Sequence, residues 1–384
     1  MKYIKCLEAN TITNGSIDNC VIAIENGKIA AVGDDIKIPE GAEVLDYSSC
    51  YAMPAMIDCH SHTGILPIKK TNPGVTDSNE YSNPATPAVR IGDSINPFDE
   101  GIVRTRNAGF SVLGLVPGSL NVCGGVGISI KLRGKTADEM IIPGTEQEKF
   151  ALGENPKRFY GLKDRLPVTR MGNAYIFRKL LFDAKEYSDA WLAYEKGETS
   201  VRPKKDFDME PLVPVVRGKR RCRIHCHRAD DIATAIRIAN EFGLDFIIEH
   251  ATEGWMVTDL LKANNATCVL GPLLLYPGKM EVWNLRFDNA AILEKAGVNF
   301  CLSADDGETQ FLPDHVGTMI KYGLSEEAAF ESVTIRPAKV LKLDDRLGSL
   351  EVGKDADIAI FDGFPFSNLT HCVATLIDGE VYEH

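Results

Sequence analysis

Apolar residues recur along this chain in two styles, one at its ends and another through its second half. The ends carry short apolar runs, at residues 3–7, 20–24 and 28–32 and again at 357–361 and 374–377, separated by turn residues. Glu25-Asn-Gly27 between two such runs is a strong hairpin signal, because Asn and Gly accept the positive φ that a two-residue turn demands. Asp362-Gly363 and Asp378-Gly379 punctuate the other end in the same way. Both ends therefore read as short strands, and we expect them to meet in one small β-sandwich.

From about residue 220 the pattern changes. A strand over 223–227 precedes Ile232, Ile236, Ala239 and Phe242, whose three- and four-residue spacing predicts a helix that stops at Gly243. Strands are predicted at 245–250, 267–270 and 299–303, and helices at 255–263 and 289–296. Repeated βα units predict parallel strands with helical crossovers, in either an open doubly wound sheet or a (β/α)8 barrel. In both, chemistry belongs at the C-terminal strand ends. Those ends are where the histidines fall: His60 and His62 close an apolar run, His225 and His227 another, His250 the next, and Asp305 with Asp306 follow the last. Five of the eight histidines occupy these places, which scattered residues would rarely do. Residues i and i+2 of a strand face the same way, so each pair can converge on one point. Neutral imidazoles with a carboxylate suit zinc, iron, manganese or nickel. We expect a divalent metal site there.

Composition narrows the partners. At 384 residues the chain can bury a large core, and 44% hydrophobic with 25% charged residues is the make-up of a soluble globular protein. A net charge of −12 argues against nucleic acid or an anionic membrane as partner. The basic run at 217–223 reads as a solvated loop feeding a strand. The apolar runs are too short to cross a bilayer and the start has no secretory pattern, so a cytoplasmic protein acting on a small molecule is expected, with a homo-oligomer compatible. Ten dispersed cysteines without Cys-x-x-Cys spacing are expected to be free buried thiols.

Two segments carry a resemblance. Met53-Pro-Ala-Met-Ile-Asp-Cys-His-Ser-His62 resembles the Pro-Gly-x-Ile-Asp-x-His-x-His opening of the amidohydrolase superfamily, and Arg346-Leu-Gly-Ser-Leu-Glu-Val-Gly-Lys-Asp-Ala-Asp-Ile358 resembles the segment that returns its chain from barrel to sandwich. The likeness spans nearly the whole chain and looks closest to the imidazolonepropionase-related group, which includes prolidase-like dipeptidases. It implies a (β/α)8 barrel at 55–342 carrying one or two divalent metal ions, zinc foremost, and a β-sandwich built from 1–54 and 343–384. It also implies His60, His62, His225, His250 and Asp305 as metal ligands. Asp305 would take a proton from metal-activated water and pass it to the leaving nitrogen.

The chain departs from the pattern in places. Ala55 replaces the usual Gly. Arg228 stands three residues after His225, where the deaminases and imidazolonepropionase generally carry Glu or Gln. His225-Cys-His227 resembles the His-Ala-His of the peptide-hydrolysing relatives instead, leaving His227 either to hold a substrate carbonyl or to support a neighbour. A two-metal site needs a bridging carboxylated Lys or Glu; Glu154 either bridges or caps a turn. The Gly-rich run at 118–127 either cradles an anion or makes a tight turn at the site mouth. Arg170 and Arg228 are candidates for a substrate carboxylate, and Glu80, in the polar loop at 71–99, for the pocket wall. The expected function is metal-dependent hydrolysis of a C–N bond in a non-aromatic amide, cyclic amide, N-acyl amino acid or dipeptide-like substrate. Heterocycle deamination is the alternative enzyme reading, and a non-catalytic assembly scaffold the remote one.

Overall fold

A computed structural model describes residues 1–67, 76–275, 278–305 and 308–384. Its strands form two sheets of eight. One closes into a barrel: β1 (Met56–Ser61), β2 (Phe110–Leu115), β3 (Cys123–Lys131), β4 (Ile141–Ala151), β5 (Cys222–Cys226), β6 (Phe246–His250), β7 (Thr267–Leu270) and β8 (Asn299–Leu302) follow one another around the ring. A parallel bridge between Ser61 and Asp305 brings the last strand back to the first.

Neighbouring strands are parallel except at β3, which runs antiparallel to both β2 and β4. The regular βα repeat expected from the second half therefore does not extend to this part of the barrel. The cause is connection length. Residues 116–122 and 132–140 are too few for a helical crossover, which needs a dozen or more, so the chain must reverse direction. The glycines of the 118–127 run serve this reversal. Gly125 has φ +107, and a Cβ there would lie 2.3 Å from the Val89 carbonyl oxygen, so only glycine fits.

The second-half elements appear close to their expected places. Helix Ala229–Phe242 buries Ile232, Ala235, Ile236 and Ala239 and ends at Gly243 in the left-handed conformation, a glycine stop. Strands on opposite sides of the ring meet in its interior through Ile57, Cys59, Val112, Ile247, Val269 and Cys301, packed on Val340, Leu341 and Leu343. Helix Ile335–Leu341 thus seals the end of the barrel opposite the histidines.

The other sheet is built from both termini. Ile358–Phe361 pairs antiparallel with Glu43–Pro54, which pairs parallel with Lys2–Asn10; Val21–Glu25 and Lys28–Gly33 form the predicted hairpin beyond it. Alternation along these strands sends Ile4, Ile22, Ile358 and Leu376 to one apolar cluster and Tyr3, Val21 and Ala23 to another. Strand Glu43–Pro54 continues through Ala55 directly into β1, so the terminal sheet feeds the first pair of histidines into the barrel.

The basic run at 217–223 is less solvated than expected. Arg217 bonds Ser188, Arg220 and Arg221 reach Glu148 and Asp245, and Arg223 is wholly buried in the barrel. All ten cysteines are free thiols, eight of them buried. Among the described residues no helix is long and apolar enough to cross a membrane.

Candidate metal centre and active site

The C-terminal strand ends converge on a cavity of about 520 Å³ lined by His60, His62, His225, His227, His250 and Asp305, together with Lys149. Side chains separated by up to 245 positions in sequence thus share one space because the ring of strands brings their ends together. Two groups are compact enough to hold an ion. Ligand atoms of His60, His62 and Asp305 lie within 4.8 Å of one another, as do those of His225, His227 and His250. His250 belongs to both neighbourhoods, its ring centroid 4.9 Å from that of His60 and 4.3 Å from that of His225. Asp306, beside Asp305, lies outside the described residues.

Hydrogen bonds behind the rings decide which nitrogen faces inward. His62 Nδ1 bonds the Val116 carbonyl at 2.9 Å and His250 Nδ1 the Gly271 carbonyl at 2.6 Å. A carbonyl can only accept, so Nδ1 carries the proton and Nε2 keeps its lone pair. His60 Nδ1 bonds Glu249 Oε2 at 2.5 Å. Burial opposes charge on Glu249, but Arg223 and His60 hold it well below the usual carboxylate range, so it too accepts. Such outer partners are the usual orienting device of metal-bound imidazoles.

Among the described residues, His60 Nε2 and His225 Nδ1 are buried without a hydrogen-bond partner. An unsatisfied buried polar atom costs about 1–3 kcal/mol, and a cation would remove that cost at both. Burial holds His225 and His227 well below their ordinary pKa and His250 at about 3, so these imidazoles are neutral, the form that ligates. Asp305 is ionised: burial resists this, yet the proximity of His60, His62 and His250 keeps its pKa well below the ordinary value. His250 and Asp305 also have φ of +70 and +68. Non-glycine residues seldom hold that conformation, and such strain gathers at functional sites. The donor set, the orphaned nitrogens and the neutral rings all fit a divalent ion.

Several expected site residues lie elsewhere. Arg228 makes a two-pronged pair with Asp230 at 2.9 and 3.0 Å, and Arg170 binds the buried Asp231 at 3.0 Å; neither lines the cavity. Glu80 is exposed, its carboxylate accepting from Ser82 N at 3.1 Å. Part of its loop, residues 71–75, lies outside the described residues. Glu154 starts helix Glu154–Gly161 and faces Arg158 at 3.8 Å, not the histidines. The acidic first turn, where a carboxylate meets the helix dipole, is the physical reason for its place.

The structure supplies others in their stead. Lys149 on β4 is 1% exposed and lines the cavity. It has no hydrogen bond or ion pair with the described residues, and burial lowers its pKa to about 8 against the pull of Glu249 and Asp305. Its run, Glu146-Gln-Glu-Lys149, has no apolar residue to mark a barrel strand. The usable signal was alternation: Gln147 and Lys149 share one face, and Gln147 bonds the interior Arg223 at 2.7 Å. Lys279, Asn155 and Arg158 complete the wall. Lys279 Nζ lies 2.7 Å from the buried Glu281, 3.2 Å from Asn155 Oδ1 and 3.1 Å from His227 Nε2.

The chain as a whole is similar to known proteins. A solved amidohydrolase from Thermotoga maritima MSB8 is 36% identical over the full length of both chains and superposes with a TM-score of 0.95. The chain belongs to the amidohydrolase family. That family's profile matches residues 225–383. Amidohydrolase tasK of Hapsidospora irregularis is 28% identical over 93% of this chain, which spans only 39% of tasK. An imidazolonepropionase of Maricaulis maris is 25% identical, with 91% of this chain and 88% of that protein covered.

Proposed function

We propose that this protein is a metal-dependent hydrolase of a C–N bond in a small non-aromatic substrate: an amide, cyclic amide, N-acyl amino acid or dipeptide-like molecule. The observation that carries the reading is the pair of ligand groups sharing one cavity with an ionised Asp305. His60, His62 and Asp305 would hold one divalent ion, and His225 and His250 a second. When bound, such an ion lowers the pKa of water from near 16 to about 7 and so supplies a nucleophile at neutral pH.

Lys149 is our choice for the bridging group in place of Glu154. Its amine, deprotonated and joined to carbon dioxide, gives a carbamate with one N–C bond formed and one proton released, and thus two carboxylate oxygens between the ligand groups. Asp305, held ionised beside His60 and His62, accepts the proton of the attacking water and returns it to the leaving nitrogen. His227 has its Nδ1 on Thr252 and its Nε2 taken up by Lys279, so we assign it to holding that lysine at the cavity wall rather than to the ligand set. Among the described residues the cavity lining offers no Glu or Gln to protonate a heterocycle nitrogen, which favours hydrolysis of an amide over deamination.

The test is a screen of N-acyl amino acids, dipeptides and cyclic amides with metal-loaded protein, reading ammonia separately from new carboxylate. Wild type should carry about two divalent ions per chain and Lys149→Met about one, while His250→Ala and Asp305→Asn should lose at least about a thousandfold in turnover with the fold retained. Near-zero metal after metal-replete expression, or activity surviving in both site variants, overturns the reading.

A further inference from the structure

One wall of the cavity carries polar groups outside the ligand set, of which Asn155 also approaches His225 Nε2 at 3.4 Å. Asn155 sits in the first turn of helix Glu154–Gly161, and Arg158, three residues on, lies on the same helical face and lines the same cavity. Asn155 Nδ2 donates to Ser119 Oγ at 2.8 Å. Because that oxygen is already an acceptor, its own proton is free to donate, and among the described residues it has no acceptor. Ser119 comes from the loop between β2 and β3 and also faces the cavity. Lys279 differs: its three protons already have acceptors in Glu281, Asn155 and His227, so its charge is balanced and its role is to fix Asn155.

Arg158 is the cation left open. Among the described residues its only partner is Glu154, at 3.8 Å through Nη1, and its side chain is 64% exposed at the cavity mouth. A guanidinium fork and a free hydroxyl lining one cavity match the two oxygens of a carboxylate. We propose that the substrate carries a carboxylate, and that Arg158 and Ser119 hold it while the C–N bond lies against the histidines. This rests on the C–N hydrolase reading and narrows its substrates to acids such as N-acyl amino acids and dipeptides. It also replaces Arg170 and Arg228, which are bound to their own aspartates.

The test compares a panel of N-acetyl amino acids with the corresponding carboxamides on the metal-loaded enzyme, by turnover and by calorimetric binding. Wild type should prefer the acids by about tenfold or more, the usual worth of a charge-assisted pair. Arg158→Gln should bring the ratio to within about threefold, mainly through KM, and Ser119→Ala should reduce it by a smaller factor. Arg158 is exposed, so loss of folding will not mimic this result. Carboxamides turned over as well as acids, an unchanged ratio in Arg158→Gln, or no acid bound at millimolar concentration overturns the anchor. The hydrolase reading fails separately: Arg158-dependent binding of the acids without turnover of any compound would sink it while keeping the anchor.

Discussion

At the scale of single residues, the chemistry of this site depends on side chains that never reach the cavity. Arg223 is wholly buried and donates to Glu249, to Gln147 Oε1 at 2.7 Å and to the Cys59 carbonyl at 2.8 Å. Glu249 in turn accepts from His60 Nδ1. The charge on Glu249 therefore raises the basicity of His60 Nε2, and Arg223 keeps that charge in place. Glu249→Gln retains an acceptor for His60 but leaves the guanidinium without its counter-charge. Breaking a buried pair in this way costs about 3–5 kcal/mol, and losing an outer carboxylate weakens metal binding by about 10–100-fold. Urea denaturation and metal titration would measure the two effects, and a variant with wild-type values in both would show that the contact is incidental. The sequence displayed the candidate ligands because histidine at a strand end is rare. It hid Arg223 within a basic run and Glu249 beside His250, since a charged residue looks solvated until its partner is known.

At the scale of elements, what was legible followed from clean periodicity. The strands of the second half are short apolar runs between turn residues, and helix Ala229–Phe242 is apolar on one face alone. Helix Arg170–Glu195 was missed although it has 26 residues. It buries Ile176, Phe177, Leu181 and Ala184 but also exposes Met171, Tyr175 and Phe182, so apolar residues surround it and blur the 3.6-residue period. The link from β4 to helix Glu154–Gly161 was equally invisible, because it rests on one backbone conformation. Gly153 has φ +83, and a Cβ there would stand 2.7 Å from Glu281 Oε2, the oxygen that accepts from Glu154 N at 2.7 Å. Gly153→Ala should cost about 1–3 kcal/mol from its dihedral alone. It should also push Glu281 away and loosen Lys279 and Asn155. Thermal denaturation would register the first effect, and a rise in KM larger than any fall in kcat the second; unchanged Tm and KM would refute both.

At the scale of the whole molecule, the Arg346–Ile358 segment that resembles a family motif has a physical purpose: it joins the terminal sheet to the barrel. Lys131 of β3 is 2% exposed and reaches Asp355 at 2.9 Å, Asp357 at 3.0 Å and Asp378 at 2.5 Å. Lys28 and Arg346 also bind Asp355, and Arg133 binds Asp378. The carboxylates do not titrate alike. Burial opposes charge on Asp355, but Lys28, Lys131 and Arg346 bring its pKa from 3.8 to about 2. Its contribution to stability is therefore present above about pH 4 and is lost as pH falls from there towards 2. Asp357 is raised, burial outweighing Lys131, so it destabilises at neutral pH and mild acid relieves it. Lys131→Met removes the cation that reaches all three acids, and should cost about 3–5 kcal/mol at pH 7. Without that cation the acids bind protons at higher pH, so part of the cost should disappear on acidification. The gap in Tm between wild type and variant should accordingly narrow from pH 7 to about pH 4.5. A gap that stays constant over that range would mean that Lys131 acts through packing of its stem and not through its charge.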